Sequence, residues 1–205
     1  MRDYRIRGRI RCRSLVNLVG RGERRQYPRA WVDALGRNQS GGRNESKLGD
    51  MTEIYVDGDA CPVREEVYRV ATRLRLNVFV VSNGSRPIRP PGISNVSMVL
   101  VGDSADAADD WIAERIAAVD VCVTSDIPLA SRCIKKGARA VSPTGKAWTP
   151  ANIGNALAGR EIARHLRELG ANTRGPASLT QKDRSRFLNV LDAAVQAALR
   201  EPARS

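Results

Sequence analysis

The 205-residue chain has a single histidine, His165, and four cysteines, Cys12, Cys61, Cys122 and Cys133, none spaced as C-x-x-C. A zinc site of the usual cysteine and histidine kind therefore lacks ligands. The histidine sits among arginines in "GREIARHLREL", a poor setting for a Ser-His-Asp or Cys-His mechanism. Aromatic residues make up 4 % of the chain, too few for evident base-stacking platforms. No apolar run approaches the roughly 20 residues of a membrane helix. "SLVNLVG", flanked by arginine, is too short for the core of a secretory signal. These absences leave a protein with reduced thiols and an expected cytoplasmic location. "SPTGK" lacks the G-x-x-x-x-G-K-[ST] frame, so no P-loop nucleotide site is expected.

What is present is positive charge, unevenly placed. The net charge is +12, but residues 1–50 hold 13 lysines and arginines against 5 acids, whereas residues 51–205 hold 21 against 17. The first segment shows no sustained helical or strand period. A nucleic-acid-binding arm or a targeting presequence would each account for its arginines. The favoured expectation is a basic, disordered extension, with translation beginning at Met51, just before the first good strand. It is set aside from fold reasoning, leaving 51–205 as a single domain.

From Met51 onward, strands and helices alternate. Glu53–Val56 reads as a strand, Pro62 to about Arg75 as a helix, and "NVFVVS" as a second strand. The proline-rich "NGSRPIRPPGIS" reads as loop and "VSMVLV" as a third strand. A helix in "GDSADAADDWIAERIAAV", entered through Asp103 or Ser104, precedes a fourth strand, "DVCVTS". A short helix ending at Gly137 and a fifth strand, "ARAVSP", follow. This order implies an α/β fold, a central parallel sheet with helices on both faces. Residues 150–200 read as a helical part packed on that core. One helix starts at Thr149–Pro150 and runs to about Leu169. After a loop, "GANTRGPAS", a second starts at Thr180 with Asp183 as a capping box.

In open α/β sheets, sites lie beyond the carboxyl ends of the strands. There the chain places Asp57 and Asp59 after strand one, Asp103 and Asp106 after strand three, and Asp126 after strand four. Each alone is an ordinary helix cap. Convergence of several carboxylates is different, because they repel unless a cation neutralises them. Hard ions such as Mg²⁺ prefer oxygen donors of this kind. At roughly 100° per residue, Ala105, Ala108, Ile112, Ile116 and Val119 share one face of the helix after strand three. Asp109 lies about 60° from the centre of that face, while Asp110 and Glu114 point away. An acid on the inward side of a helix costs free energy unless it is paired or ligated.

"YVDGDACPV", "DAADDWIAERI", "VTSDIPLASRCIKKGARAV" and "RGPASLTQKDRSRFLNVLD" together resemble the bacterial YaiI/YqxD family of uncharacterised proteins, related to PIN-like nuclease domains. The resemblance spans about Met51 to Asp192. It implies a three-layer PIN-like fold with extra C-terminal helices, and a metal-dependent nuclease acting on RNA. Asp57 would match the acid after strand one. Asp109 would match the helix acid in D-x-x-I, and Asp126 the acid of T-x-D, supported by Thr124 and Ser125. These acids would bind Mg²⁺ or Mn²⁺, with Asp59 and Asp106 as further candidates.

Two other readings compete. "VDGDA" is similar to the D-x-D of haloacid-dehalogenase phosphatases, with Asp57 as nucleophile. The proline-rich loop lacks a lysine for phosphate, and lacks the crossover helix expected between parallel neighbours. The third reading is a non-catalytic binding module for nucleic acid or protein. Arg160, Arg164 and Arg167 recur at i, i+4 and i+7, a spacing that suits phosphate contacts as well as a solvated helix face.

Overall fold

A computed structural model describes residues 51–59, 61–84, 88–89, 91–102, 104, 106–169 and 178–201. The basic segment 1–50, Asp103, Ala105 and the loop 170–177 lie outside the described residues. Six strands form one sheet: β1 (Glu53–Asp57), β2 (Asn77–Ser82), β3 (Val96–Leu100), β4 (Val121–Val123), β5 (Arg139–Val141) and β6 (Ala147–Trp148). Their order is β3-β2-β1-β4-β5-β6, parallel except for the β5–β6 pair. Among the described residues, five helices cover it: α1 (Arg64–Leu74), α2 (Ala107–Arg115), α3 (Ile127–Lys135), α4 (Pro150–Glu168) and α5 (Gln181–Arg200).

Alternation along the strands builds two cores, one on each face. Ile54, Val56, Val78, Val80, Val121 and Val123 face one way, against Val67 and Val70 of α1 and Phe187, Leu191 and Val195 of α5. Tyr55, Phe79, Val81 and Cys122 face the other, against Ile112 of α2 and Leu129 and Cys133 of α3. The result is the expected three-layer α/β arrangement.

Three features depart from the sequence reading. First, β2 and β3 are parallel neighbours, yet among the described residues of 83–95 no helix joins them. Ile88 and Ile93 of that segment pack on the first core instead, so two apolar anchors do the covering expected of a helix. The missing crossover helix is therefore no argument against a dehalogenase-like topology. Second, α2 is shorter than expected. It starts at Ala107 with Asp106 at its N-cap, after a turn in which Ala107 N–H donates to the Ser104 carbonyl (3.1 Å), and ends at Arg115. The fully buried Asp120 draws the chain out of the helix. Its carboxylate accepts from Ala117 N–H (2.7 Å) and from Glu53 N–H on β1 (3.0 Å). Ile116 and Val119 are buried, but beyond the helix. Third, the two-residue antiparallel β6 was not anticipated. The turn before it holds Gly145 at φ +76°, where a Cβ would stand 2.7 Å from Phe187 N.

Candidate active site

The carboxyl ends of β1, β2 and β4 and the start of α2 open onto a cleft of about 440 Å³. Asp57 ends β1 and is buried. Its Oδ2 accepts from the Thr124 hydroxyl (3.0 Å), and that hydroxyl oxygen accepts from Asp126 N–H (2.9 Å). The fully buried Thr124 thereby fixes two acids on neighbouring strands relative to each other. Asp126 is also the N-cap of α3, with Oδ1 accepting from Leu129 N–H (3.1 Å). Asp126 thus caps α3 and also lines the cleft.

Asp59 is held differently. Its Oδ1 accepts from the Ser82 hydroxyl (2.5 Å) and its Oδ2 from Asn83 N–H (2.9 Å). Both oxygens brace the end of β2, so Asp59 faces the cleft as a supporting residue. The glycine between the two aspartates is required by space: a Cβ at Gly58 would lie 2.8 Å from Ile88 Cδ1 and 2.9 Å from the Val81 carbonyl oxygen. Gly58 N–H donates to that same oxygen (2.7 Å), and the Arg64 guanidinium donates to the Gly58 carbonyl (2.6 Å). Sequence reading missed Gly58, Asn83 and Arg64, and considered Ser82 only as the serine that "VVSNG" would supply to a dehalogenase-like site. The D-G-D spacing was the available signal for the first.

Asp109 points to the inward side of α2, whose orientation is set by Trp111 packing against Tyr55 and Phe79 of the sheet. Burial, then the carboxylates of Asp126, Asp57 and Asp106, push its carboxyl up from 3.8 to about 7, while Arg132 acts in the opposite direction. Asp110 points outward, and Arg132 of α3 pairs with it at 2.8 Å. Asp106 is exposed and does not line the cleft. Ser125 lines it, exposed between Thr124 and Asp126.

Helix α4 brings positive charge to this acidic edge. Arg160 and Arg167 line the cleft, and Arg160 Nη1 stands 3.3 Å from each carboxylate oxygen of Asp126. Arg164 is not part of the cleft. It pairs within the helix with Glu161 and Glu168; Arg164 lowers the Glu161 carboxyl, and Glu161, then Glu168, raise the guanidinium. Of the three arginines picked out by spacing, two line the cleft, Arg160 alone contacting an acid there, and one pairs within the helix. His165 is exposed on α4. The described thiols are free and buried, and burial pushes Cys61 up to about 12, so it does not supply a nucleophile.

Among the described residues, no three carboxylate, thiol or imidazole groups stand in a metal-ligating arrangement. The donor chemistry nonetheless fits a hard cation. Asp57, Asp109 and Asp126 offer only oxygen, and their mutual repulsion is what a divalent ion would relieve. No described helix is long and apolar enough to cross a membrane.

The sequence profile of the YaiI/YqxD family, described as uncharacterized, matches residues 55–197. A UPF0178 protein of Rhodospirillum rubrum is 54 % identical over 148 residues, covering 72 % of this chain and 98 % of its own. One from Rhodospirillum centenum is 53 % identical over 154 residues (73 % and 99 %), and one from Caulobacter sp. strain K31 is 49 % identical over 150 (73 % and 98 %). The chain belongs to the YaiI/YqxD family.

Proposed function

We propose that this member of the YaiI/YqxD family is a hydrolase of RNA phosphodiesters that works with Mg²⁺ or Mn²⁺. The observation that carries the reading is a single cleft in which Asp57, Asp109 and Asp126 converge from separate segments, with Arg160 and Arg167 at its rim. Asp57, Asp109 and Asp126 would hold the ion. When bound, it would supply Lewis-acid activation of water and neutralise phosphate charge.

The chain's own residues have distinct tasks in this scheme. Thr124 fixes the Asp57 carboxylate and the start of α3 in one geometry. Asp59 holds the β2 end through Ser82 and Asn83 and keeps that wall of the cleft in place. Burial and the neighbouring carboxylates raise the Asp109 carboxyl, a repulsion that a bound cation would relieve. Arg160 and Arg167 would receive the phosphate, as guanidinium groups do in forked geometry. RNA is the substrate that the PIN-like resemblance implies.

The dehalogenase-like reading ranks second. Its D-x-D acid would be Asp59, whose two oxygens are already engaged, and no lysine lines the cleft. The deciding experiment incubates the full chain with single-stranded RNA and, separately, a generic phosphomonoester, with Mn²⁺, Mg²⁺ or chelator. Metal-dependent RNA cleavage that vanishes in the Asp57→Asn/Asp126→Asn double variant is expected. Turnover of the monoester with phosphate trapped on Asp57 would reverse the ranking. Absence of both activities would favour a binding module.

A further inference from the structure

Two cations compete for one carboxylate in the proposed reading, and the competition has a consequence. The Asp126 carboxylate already faces Arg160, through a symmetric contact of 3.3 Å to each oxygen. That contact is long for a charge-assisted hydrogen bond. Both partners meet solvent, Arg160 at 46 % and Asp126 at 28 % exposure of the side chain. Other ion pairs nearby are closer: Arg132 reaches Asp110 at 2.8 Å, and Arg164 reaches Glu168 at 2.5 Å. Arg160 is thus held more loosely than Arg132 and Arg164. Its helix is anchored by Ile153 and Leu157 one to two turns earlier, which keeps the group at the cleft when it lets go of Asp126. Arg167, one further lining residue, has no carboxylate partner among the described residues.

We propose that Arg160 exchanges partners, leaving Asp126 for a phosphodiester when a divalent cation takes its place, so that cation and phosphodiester each promote binding of the other. The proposal rests on the functional reading above, and deepens it by naming the residue that couples its two ligands. A cation arriving alone must displace the guanidinium from Asp126. A phosphate arriving alone must draw it away and leave the carboxylate uncompensated. When both arrive, neither charge is stranded: the carboxylate faces the cation and the guanidinium fork faces the phosphate. Linkage makes the coupling reciprocal, the same factor appearing in both affinities.

The test is calorimetric and needs no turnover. Mn²⁺ is titrated into the full chain with and without a saturating, cleavage-resistant phosphorothioate tetranucleotide, and the tetranucleotide is titrated with and without Mn²⁺. In the unaltered protein, each ligand should tighten the other. In Arg160→Gln, Mn²⁺ alone should bind about two- to fivefold tighter, the size of one exposed ion pair. The tetranucleotide alone should bind more weakly, and the mutual tightening should shrink. Arg164→Gln removes the same charge from the same helix outside the cleft and should behave like the unaltered protein. Arg167→Gln should weaken the tetranucleotide without tightening Mn²⁺.

Equal tightening of Mn²⁺ by Arg160→Gln and Arg164→Gln would reduce the effect to bulk charge and overturn the exchange. Full mutual tightening surviving in Arg160→Gln would assign it to direct contact between cation and phosphate, again overturning the exchange while leaving the hydrolase reading intact. Failure of Mn²⁺ to bind the unaltered protein and Arg160→Gln alike would instead remove the hydrolase reading, and this inference with it.

Discussion

Helices α4 and α5 are close to a matched pair, with 19 and 20 residues, a threonine N-cap each and a reciprocal capping box each. Both carry an apolar stripe at helical spacing. Their fates differ. In α5, Phe187, Leu191, Val195 and Ala198 are all buried against the sheet. In α4 only Ile153 is buried, and beyond it Ile162, Leu166 and Leu169 are 61 %, 46 % and 71 % exposed. An amphipathic pattern says that a helix has an apolar side; it does not say that the same chain covers it. Within residues 150–200, α5 and the first half of α4 pack against the two cores. The second half of α4 leaves the core and supplies arginines to the cleft.

The comparison breaks most easily at Phe187, a fully buried side chain that fastens α5 to the first core. Phe187→Ala should cost about 3–5 kcal/mol through lost burial and the cavity left behind. Denaturant unfolding would read this as a lower midpoint. A loss near that of an exposed residue would mean that α5 contributes little to the sheet's first core, contrary to the burial described.

That contrast also explains what was legible in the sequence. β1, β2, β4 and β5 were readable because buried parallel strands are short apolar runs, and "NVFVVS" is reproduced residue for residue in β2; the half-buried β3 was readable from the apolar residues of "VSMVLV". β6 has two residues, one of them exposed, too little to make a pattern. The path from β2 to β3 was read as loop from its prolines, and none of its described residues is helical; that two isoleucines suffice to cover the sheet there was not legible. The end of α2 depended on Asp120, which accepts from α2's exit and from β1, a tertiary arrangement that local propensity does not encode. In the site, Asp57, Asp109 and Asp126 were found from strand ends and helix phase. Arg160 and Arg167 could not be told from Arg164 by spacing alone, although Glu161 and Glu168 at i−3 and i+4 marked Arg164 as the self-paired one.

A second, smaller effect sharpens the difference between the acidic edge and the arginine helix over it. The Asp109 carboxyl is raised from 3.8 to about 7 in the folded state, chiefly by burial and then by Asp126, Asp57 and Asp106. The folded protein therefore holds this proton more tightly than the unfolded chain does. The stability so contributed is complete below about 3.8, declines as pH rises through the window to 7, and is absent above it. Asp109→Asn should flatten that segment of the stability profile and gain relative stability at pH 8 over pH 4. The site is half open to solvent, so the effect should be well below that of Phe187→Ala. Unfolding midpoints across pH 4–8 check it, and an unchanged slope would show that Arg160 and solvent already neutralise the cluster. The gain at pH 8 should diminish when Mn²⁺ is present, if the carboxylates hold it.

The smallest effect lies on α4 itself, at Gly159. At roughly 100° per residue, position 159 falls on the same side as Ile162, Leu166 and Leu169. A Cβ there would meet nothing within 4 Å. Gly159→Ala should therefore act through helix propensity alone and stabilise α4 by about 0.5–1 kcal/mol. Where that gain appears depends on how α4 is joined to the rest. If its second half opens locally while the sheet stays folded, the global unfolding midpoint stays fixed, and slower amide exchange over residues 158–168 carries the whole effect. If α4 unfolds only with the core, the midpoint rises instead. Either result keeps the contrast with α5. A destabilised Gly159→Ala protein would break it, because an added methyl can cost free energy at this position only against a close-packed neighbour. The apolar stripe of α4 would then be a covered surface like that of α5, and the exposure of Ile162, Leu166 and Leu169 would not describe the protein in solution.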